Sequence, residues 1–148
     1  MKQKTLTTFA LLMAALQAHA SEQLITINPM IEYKEAGGNC GCYFYLQDKP
    51  RAEGFVLYWG FGDEHAVMKI NGNLTKLDIV EEHISYKIGQ DTTFKLKGDT
   101  VTANGSCKVS GVCPPESESC EITNYKGTLI VANSSQETTI SIKGVCGC

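Results

Sequence analysis

Thr92-Thr93-Phe94-Lys95-Leu96-Lys97 alternates polar and apolar residues with a period of two, the pattern of a strand that buries one face. Successive side chains of an extended chain point to opposite sides. Phe94 and Leu96 are therefore expected on an inward face, and the lysines in water. The pattern recurs in Thr138-Thr139-Ile140-Ser141-Ile142-Lys143, with Ile140 and Ile142 inward.

Outward from these two stretches, strand signals dominate. Short runs rich in β-branched and aromatic residues occupy 24–27, 31–34, 42–46, 54–59, 66–70, 74–80, 83–88, 92–96, 100–103, 106–110, 120–124, 127–132 and 138–145. Turn chemistry separates them. Asn71-Gly72 and Asn104-Gly105 favour the positive φ of type I′ hairpins, and Lys97-Gly98-Asp99 and Asn133-Ser134-Ser135-Gln136 are turn-like as well. Turn signals every 8–12 residues or so predict a single antiparallel β-barrel or β-sandwich, an all-β domain. Only Ile79-Val80-Glu81-Glu82-His83 hints at a helical turn, and its β-branched residues oppose one. Residues 21–30 read as a loosely held arm. The paired prolines in Cys113-Pro114-Pro115-Glu116-Ser117-Glu118-Ser119-Cys120 forbid regular pairing and predict a loop.

The first twenty residues have the three parts of a cleavable signal peptide. Lys2 and Lys4 form a positive start, Phe9–Leu16 is a short apolar run, and Ala18-His19-Ala20 is an A-x-A cleavage site. The apolar run is far short of the roughly 18 residues that a transmembrane anchor needs. The expected organisation is a signal over 1–20 and one all-β domain over 21–148, in a periplasmic or secreted protein. Loss of Lys2 and Lys4 leaves 11 basic against 16 acidic residues, a net charge of −5 on 128 residues. That balance argues against nucleic acid and anionic lipid, which both need a basic footprint.

All seven cysteines (Cys40, Cys42, Cys107, Cys113, Cys120, Cys146 and Cys148) follow the signal. In an exported protein they read as a disulfide framework, and an odd number leaves at least one thiol over. Cys40-Gly41-Cys42 and Cys146-Gly147-Cys148 repeat one tripeptide. On a strand each presents two sulfurs on one side, so adjacent strands could carry two stacked bridges, with glycine giving the backbones room. The alternative is a soft cage in which Cys40, Cys42, Cys146 and Cys148 hold Zn²⁺ or Cu⁺ as thiolates, with Met30 or Met68 as neighbours. A redox-active bridge within one tripeptide is a third reading. Cys113 and Cys120 could tie the Pro-Pro loop at its base, leaving Cys107 as the odd thiol or as a competitor.

The remaining chemistry is sparse. Trp59 and Phe61 could share a strand face open to a flat ligand, although core strands with Tyr43 and Tyr45 at the rim explain the same aromatics. Asp63-Glu64-His65 reads as a solvated turn, because consecutive residues do not face one another as acid and base. His83 follows Glu81-Glu82 on an expected surface. The motifs of serine hydrolases, zinc proteases and nucleotide-binding loops do not occur, so no catalytic residue is assigned. The expected function is a non-enzymatic binding or inhibitory module acting through loops and acidic surface. A thiolate metal-binding protein is the alternative, and an enzyme without a readable motif comes last.

Exported protein should begin at Ser21. N-terminal sequencing that still finds Met1 on exported material would contradict the signal reading.

Overall fold

In the computed structural model, which describes residues 24–31, 40–117 and 119–148, the two alternating stretches are long strands. The signal segment 1–20, the start at Ser21, most of the strand expected at 31–34, and Glu118 lie outside the described residues. The strands are β1 (Ile27–Asn28), β2 (Gly41–Leu46), β3 (Leu57–Gly60), β4 (His65–Ile70), β5 (Asn73–His83), β6 (Asp91–Lys97), β7 (Thr102–Val112), β8 (Thr123–Ala132) and β9 (Glu137–Gly147). A 3₁₀ turn at Arg51–Glu53 sits between β2 and β3. Each of β2 to β9 pairs antiparallel with the next in sequence, and β9 returns to pair with β2. The result is a closed eight-stranded up-and-down barrel, and a sandwich is ruled out.

Alternation decides what fills it. Thr92, Phe94 and Leu96 point in from β6, and Ala103, Gly105, Cys107 and Val109 from β7. At the centre Phe44 stacks on Trp59 at 5.4 Å and lies 5.1 Å from Phe94. Ile142 is fully buried and Ile140 packs against the same core, as their alternation predicts. Outside, Asp91, Thr93, Lys95 and Lys97 of β6 continue into Thr102, Asn104, Ser106 and Lys108 of β7, a wall that faces water. Among the described residues no helix is long and apolar enough to cross a membrane.

Several sequence expectations need correction. Asn71-Gly72 is the predicted hairpin, with φ of 50° and 79°, but Asn104-Gly105 lies inside β7. Gly105 faces Phe94 directly across the β6–β7 pair, and a Cβ there would collide with that ring. Its glycine is required by close approach rather than by a turn. The runs at 100–103 and 106–110 therefore join into one strand. The run at 83–88 leaves the sheet after His83, and the hinted helical turn at 79–83 is instead a bulge in β5 between Ile79 and Glu81.

The described part of the expected loose arm (21–30), residues 24–30, is built into the wall, and 21–23 lie outside the described residues. Thr26 and Asn71 exchange hydrogen bonds, with Thr26 N–H donating to Asn71 Oδ1 at 2.7 Å and Asn71 N–H to the Thr26 carbonyl at 2.8 Å. Ile27 and Asn28 pair with Ile70 and Lys69 of β4, and Met30 bridges to Phe55. Ile25 enters the barrel core, while Met30 joins Tyr43, Tyr45, Phe55 and Tyr58 in a cluster on the outer side of the wall. These tyrosines are buried, not placed at a rim, and Arg51 lies 5.5 Å over the Tyr45 ring.

Cys42–Cys146 bridges β2 to β9 and Cys40–Cys148 joins the residues just beyond their ends, with sequence separations of 104 and 108. Gly41 lies so close to the Trp59 carbonyl, and Gly147 to the Glu121 carbonyl, that a Cβ at either would collide with backbone. In the chain-entropy model closing a loop of about 100 residues contributes up to ~4.7 kcal/mol. The second bridge adds little, because the first has already closed the loop. Removing the outer bridge (Cys40→Ala with Cys148→Ala) should therefore lower stability slightly. Replacing all four cysteines should cost up to about 4–5 kcal/mol more, read from urea denaturation of the oxidised proteins.

Candidate functional site

Chain direction sorts the barrel into two unlike ends. One carries both C-G-C bridges, the C-terminus, the β3–β4 turn (61–64), the β5–β6 loop (84–90) and the β7–β8 loop (113–122). The other carries short hairpins at 71–72, 98–101 and 133–136, the 47–56 loop, and Ile25 of the arm. Here the turns follow their predicted chemistry. Gly98 N–H donates to the Val101 carbonyl, and Asn133 Oδ1 accepts from the backbone N–H of Ser135 and Gln136.

The stapled end carries three connections, at 61–64, 84–90 and 113–122. Its loops are anchored one by one. Asp63 Oδ2 accepts from Gly60 N–H at 2.7 Å and holds the β3–β4 turn. Ser85 N–H donates to Thr92 Oγ1 at 2.9 Å, Ser85 Oγ donates to the Asp91 carbonyl at 2.7 Å, and Tyr125 OH donates to the Ser85 carbonyl at 2.9 Å. This buried knot fixes the β5–β6 loop. Cys113–Cys120 closes the Pro-Pro loop as expected, and Ile122 N–H donates to Cys113 Sγ.

From these fixed loops apolar side chains point outward. Of nine large hydrophobic residues exposed among the described ones, six lie at this end: Phe61, Val80, Tyr86, Ile88, Val112 and Ile122. Tyr86 is 58% and Ile88 66% exposed. Solvating such side chains costs free energy that a partner would recover. Trp59 and Phe61 do not share a face: Trp59 is in the core and Phe61 is in the turn, half exposed.

Polar groups surround this rim. His65 Nδ1 lies 2.8 Å from Asp78 Oδ1 across the β4–β5 pair, a partnership invisible in the triplet Asp63-Glu64-His65. A cleft of about 610 Å³ runs between Asp63–His65 and Asp78–Glu82. Its carboxylates are Asp63, Glu64, Asp78, Glu81 and Glu82, and Lys95 pairs with Glu81 at 2.7 Å. His83 Nε2 is 3.4 Å from Ser85 Oγ. Because that hydroxyl donates its proton to the Asp91 carbonyl, the contact anchors the loop and offers no proton to a base.

The four C-G-C sulfurs converge as the sequence requires, paired as two disulfides. A Zn²⁺ or Cu⁺ cage from Cys40, Cys42, Cys146 and Cys148 would need both bridges reduced. Among the described residues no group of three or more His, Cys, Asp or Glu is arranged to hold a metal ion. Met68 is buried in the barrel core and Met30 in the outer cluster, on opposite sides of the wall. Cys107 is the odd thiol, buried between β6 and β8 on the inward face of β7. No family model, curated protein or solved structure matches the chain.

Burial pushes the Cys107 thiol up to about 11. The neutral thiol is favoured in the folded state, so its contribution is fully present below the ordinary value of 9.0 and is lost as pH rises toward 11. At about 1.4 kcal/mol per unit the loss is of order 2–3 kcal/mol. Urea unfolding at a series of pH values should show this decline in the parent protein, and the Cys107→Ala variant should show a correspondingly shallower one. Equal slopes would exclude the thiol as their source.

Proposed function

We propose that this protein is an exported, non-enzymatic binding or inhibitory module that engages a protein partner through the stapled end of its barrel. One observation carries this reading: exposed Phe61, Tyr86, Ile88 and Ile122 lie at one end on loops fixed by a capping carboxylate, a buried hydrogen-bond knot and a disulfide, with exposed Val112 at the adjoining end of β7. Preorganised loops bind at low entropic cost, because little freedom remains to be lost on association. An apolar patch rimmed by polar groups is the usual anatomy of a protein-binding surface.

Export is supported by the A-x-A site and by bridged cysteines, since disulfides persist in oxidising compartments. The interior supports binding at the surface rather than in a lumen. Phe44, Trp59, Phe94 and Tyr125 pack across the barrel where a hollow barrel would hold a ligand. The rim carries Asp63, Glu64, Glu116 and Glu121, which suits a partner with basic groups around an apolar contact.

The triple variant Phe61→Ser, Tyr86→Ser and Ile122→Ser should keep the parent melting behaviour, because all three side chains are exposed. A partner captured from the export compartment, purified and titrated should bind it at least about tenfold more weakly, about 1.4 kcal/mol. Leu74→Ser at the opposite, hairpin end of the barrel should leave affinity unchanged. A wild-type protein that retains no partner, or equal losses in both variants, would overturn the proposal.

A further inference from the structure

Strand lengths leave a gap in the barrel wall at this same end. β5 runs for 11 residues and β4 for only 6. Their pairing stops at His65↔Asp78, and one more contact follows, from Ile79 N–H to the Glu64 carbonyl at 3.0 Å. β5 nevertheless continues through Glu81, Glu82 and His83, paired to Lys95, Phe94 and Thr93 of β6 on its other side. Among the described residues, no strand occupies the β4 side of Val80–His83. The cleft between Asp63–His65 and Asp78–Glu82 is this missing piece of wall.

We infer that the notch accepts an extended, basic segment of the partner protein, which adds as a short strand against Val80–His83. This rests on the binding-module reading above and names how that partner docks. An open strand edge presents backbone donors and acceptors spaced to pair with another extended chain. Charge selects the occupant. Of the five carboxylates around the notch, Asp78 faces His65 and Glu81 faces Lys95, while Asp63 serves its own turn. Among the described residues Glu64 and Glu82 carry no ion pair, and both line the notch. A second copy of this chain would bring the same carboxylates against them and be repelled. Lysine or arginine side chains alternating along an incoming strand would meet them. The bulge at Ile79–Glu81 puts Val80 in solvent at 63% exposure, an apolar contact for the same strand.

The probe is a short peptide alternating lysine with valine, blocked at both ends, added to the oxidised full-length mature protein. Hydrogen exchange read residue by residue by NMR should slow several-fold within Val80–His83. A peptide of the same charge, N-methylated along the backbone edge that would pair, should bind at least about tenfold more weakly. So should the original peptide against the Glu64→Lys, Glu82→Lys variant. Equal binding of the methylated peptide would reduce the effect to charge adhesion and overturn strand addition. So would protection outside the notch, or sedimentation showing a dimer that the peptide dissociates. If Val80–His83 stays unprotected while the triple rim variant still loses its partner, the notch inference falls and the binding-module reading stands. If Val80–His83 is protected while that variant keeps its partner, the notch stands and the apolar rim is not the docking surface.

Discussion

The pairing of β2 with β9 is the constraint on which the molecule depends. A sheet of eight strands that did not close would expose two edges and a face of core residues. Closure joins Gly41–Leu46 to Ile142–Gly147, segments about 100 residues apart in sequence. Such distant pairing carries a large entropic cost before it yields any contact. The two bridges remove most of that cost from the unfolded chain. The seam is also tightly packed, because Gly144 lies directly opposite Phe44 and leaves the ring room to lie across the strand. Phe94 over Gly105 repeats the device on the other side of the barrel, and the two rings meet at the centre.

Unequal strand lengths divide the wall into a complete half and an interrupted one. β7, β8 and β9 run for 11, 10 and 11 residues and pair almost throughout. β3 has 4 residues and β4 has 6, so the wall between β2 and β5 is too short at both ends. At the hairpin end the shortfall is covered within the chain. β1 pairs with β4 beyond the last β3 partner, and Ile25 seals the core behind it. At the stapled end the described residues supply no such strand. The shortfall is thus covered at one end by β1 and left open at the other, beside the apolar rim.

Much of the barrel was legible because its signals are local. Period-two alternation set the inward residues of β6 and β9, Asn71-Gly72 placed a hairpin, and the repeated tripeptide pointed to two strands lying side by side. Asn104-Gly105 misled for a physical reason. The same dipeptide serves a turn through backbone freedom and a strand through the absence of a side chain, and only the ring of Phe94 across the sheet distinguishes them. The arm misled similarly, since Ile25 and Met30 are short apolar signals whose pockets are built from residues far along the chain. The candidate site was legible only in parts. The disulfide-tied Pro-Pro loop could be read, but the gathering of Phe61, Tyr86, Ile88 and Ile122 depends on which strands run in which direction. The notch depends on where β4 stops, and strand termination is set by tertiary packing more than by local sequence.

The two ends also differ in how their surfaces are held. The hairpin end is closed by tight turns and by the arm. At the stapled end the fixation of the loops has a structural origin that precedes any ligand. Ser85 enters the barrel mouth, where its carbonyl accepts from buried Tyr125 OH and its N–H donates to buried Thr92 Oγ1, bonds that would be costly to lose. Once Ser85 is held, Tyr86 and Ile88, the first and third residues after it, are displayed outward with little freedom to retreat. The β7–β8 loop is held by Cys113–Cys120 and by the backbone of Ile122, so the same logic displays Ile122. Satisfying the interior therefore holds these apolar groups in water at this end, at a cost in free energy.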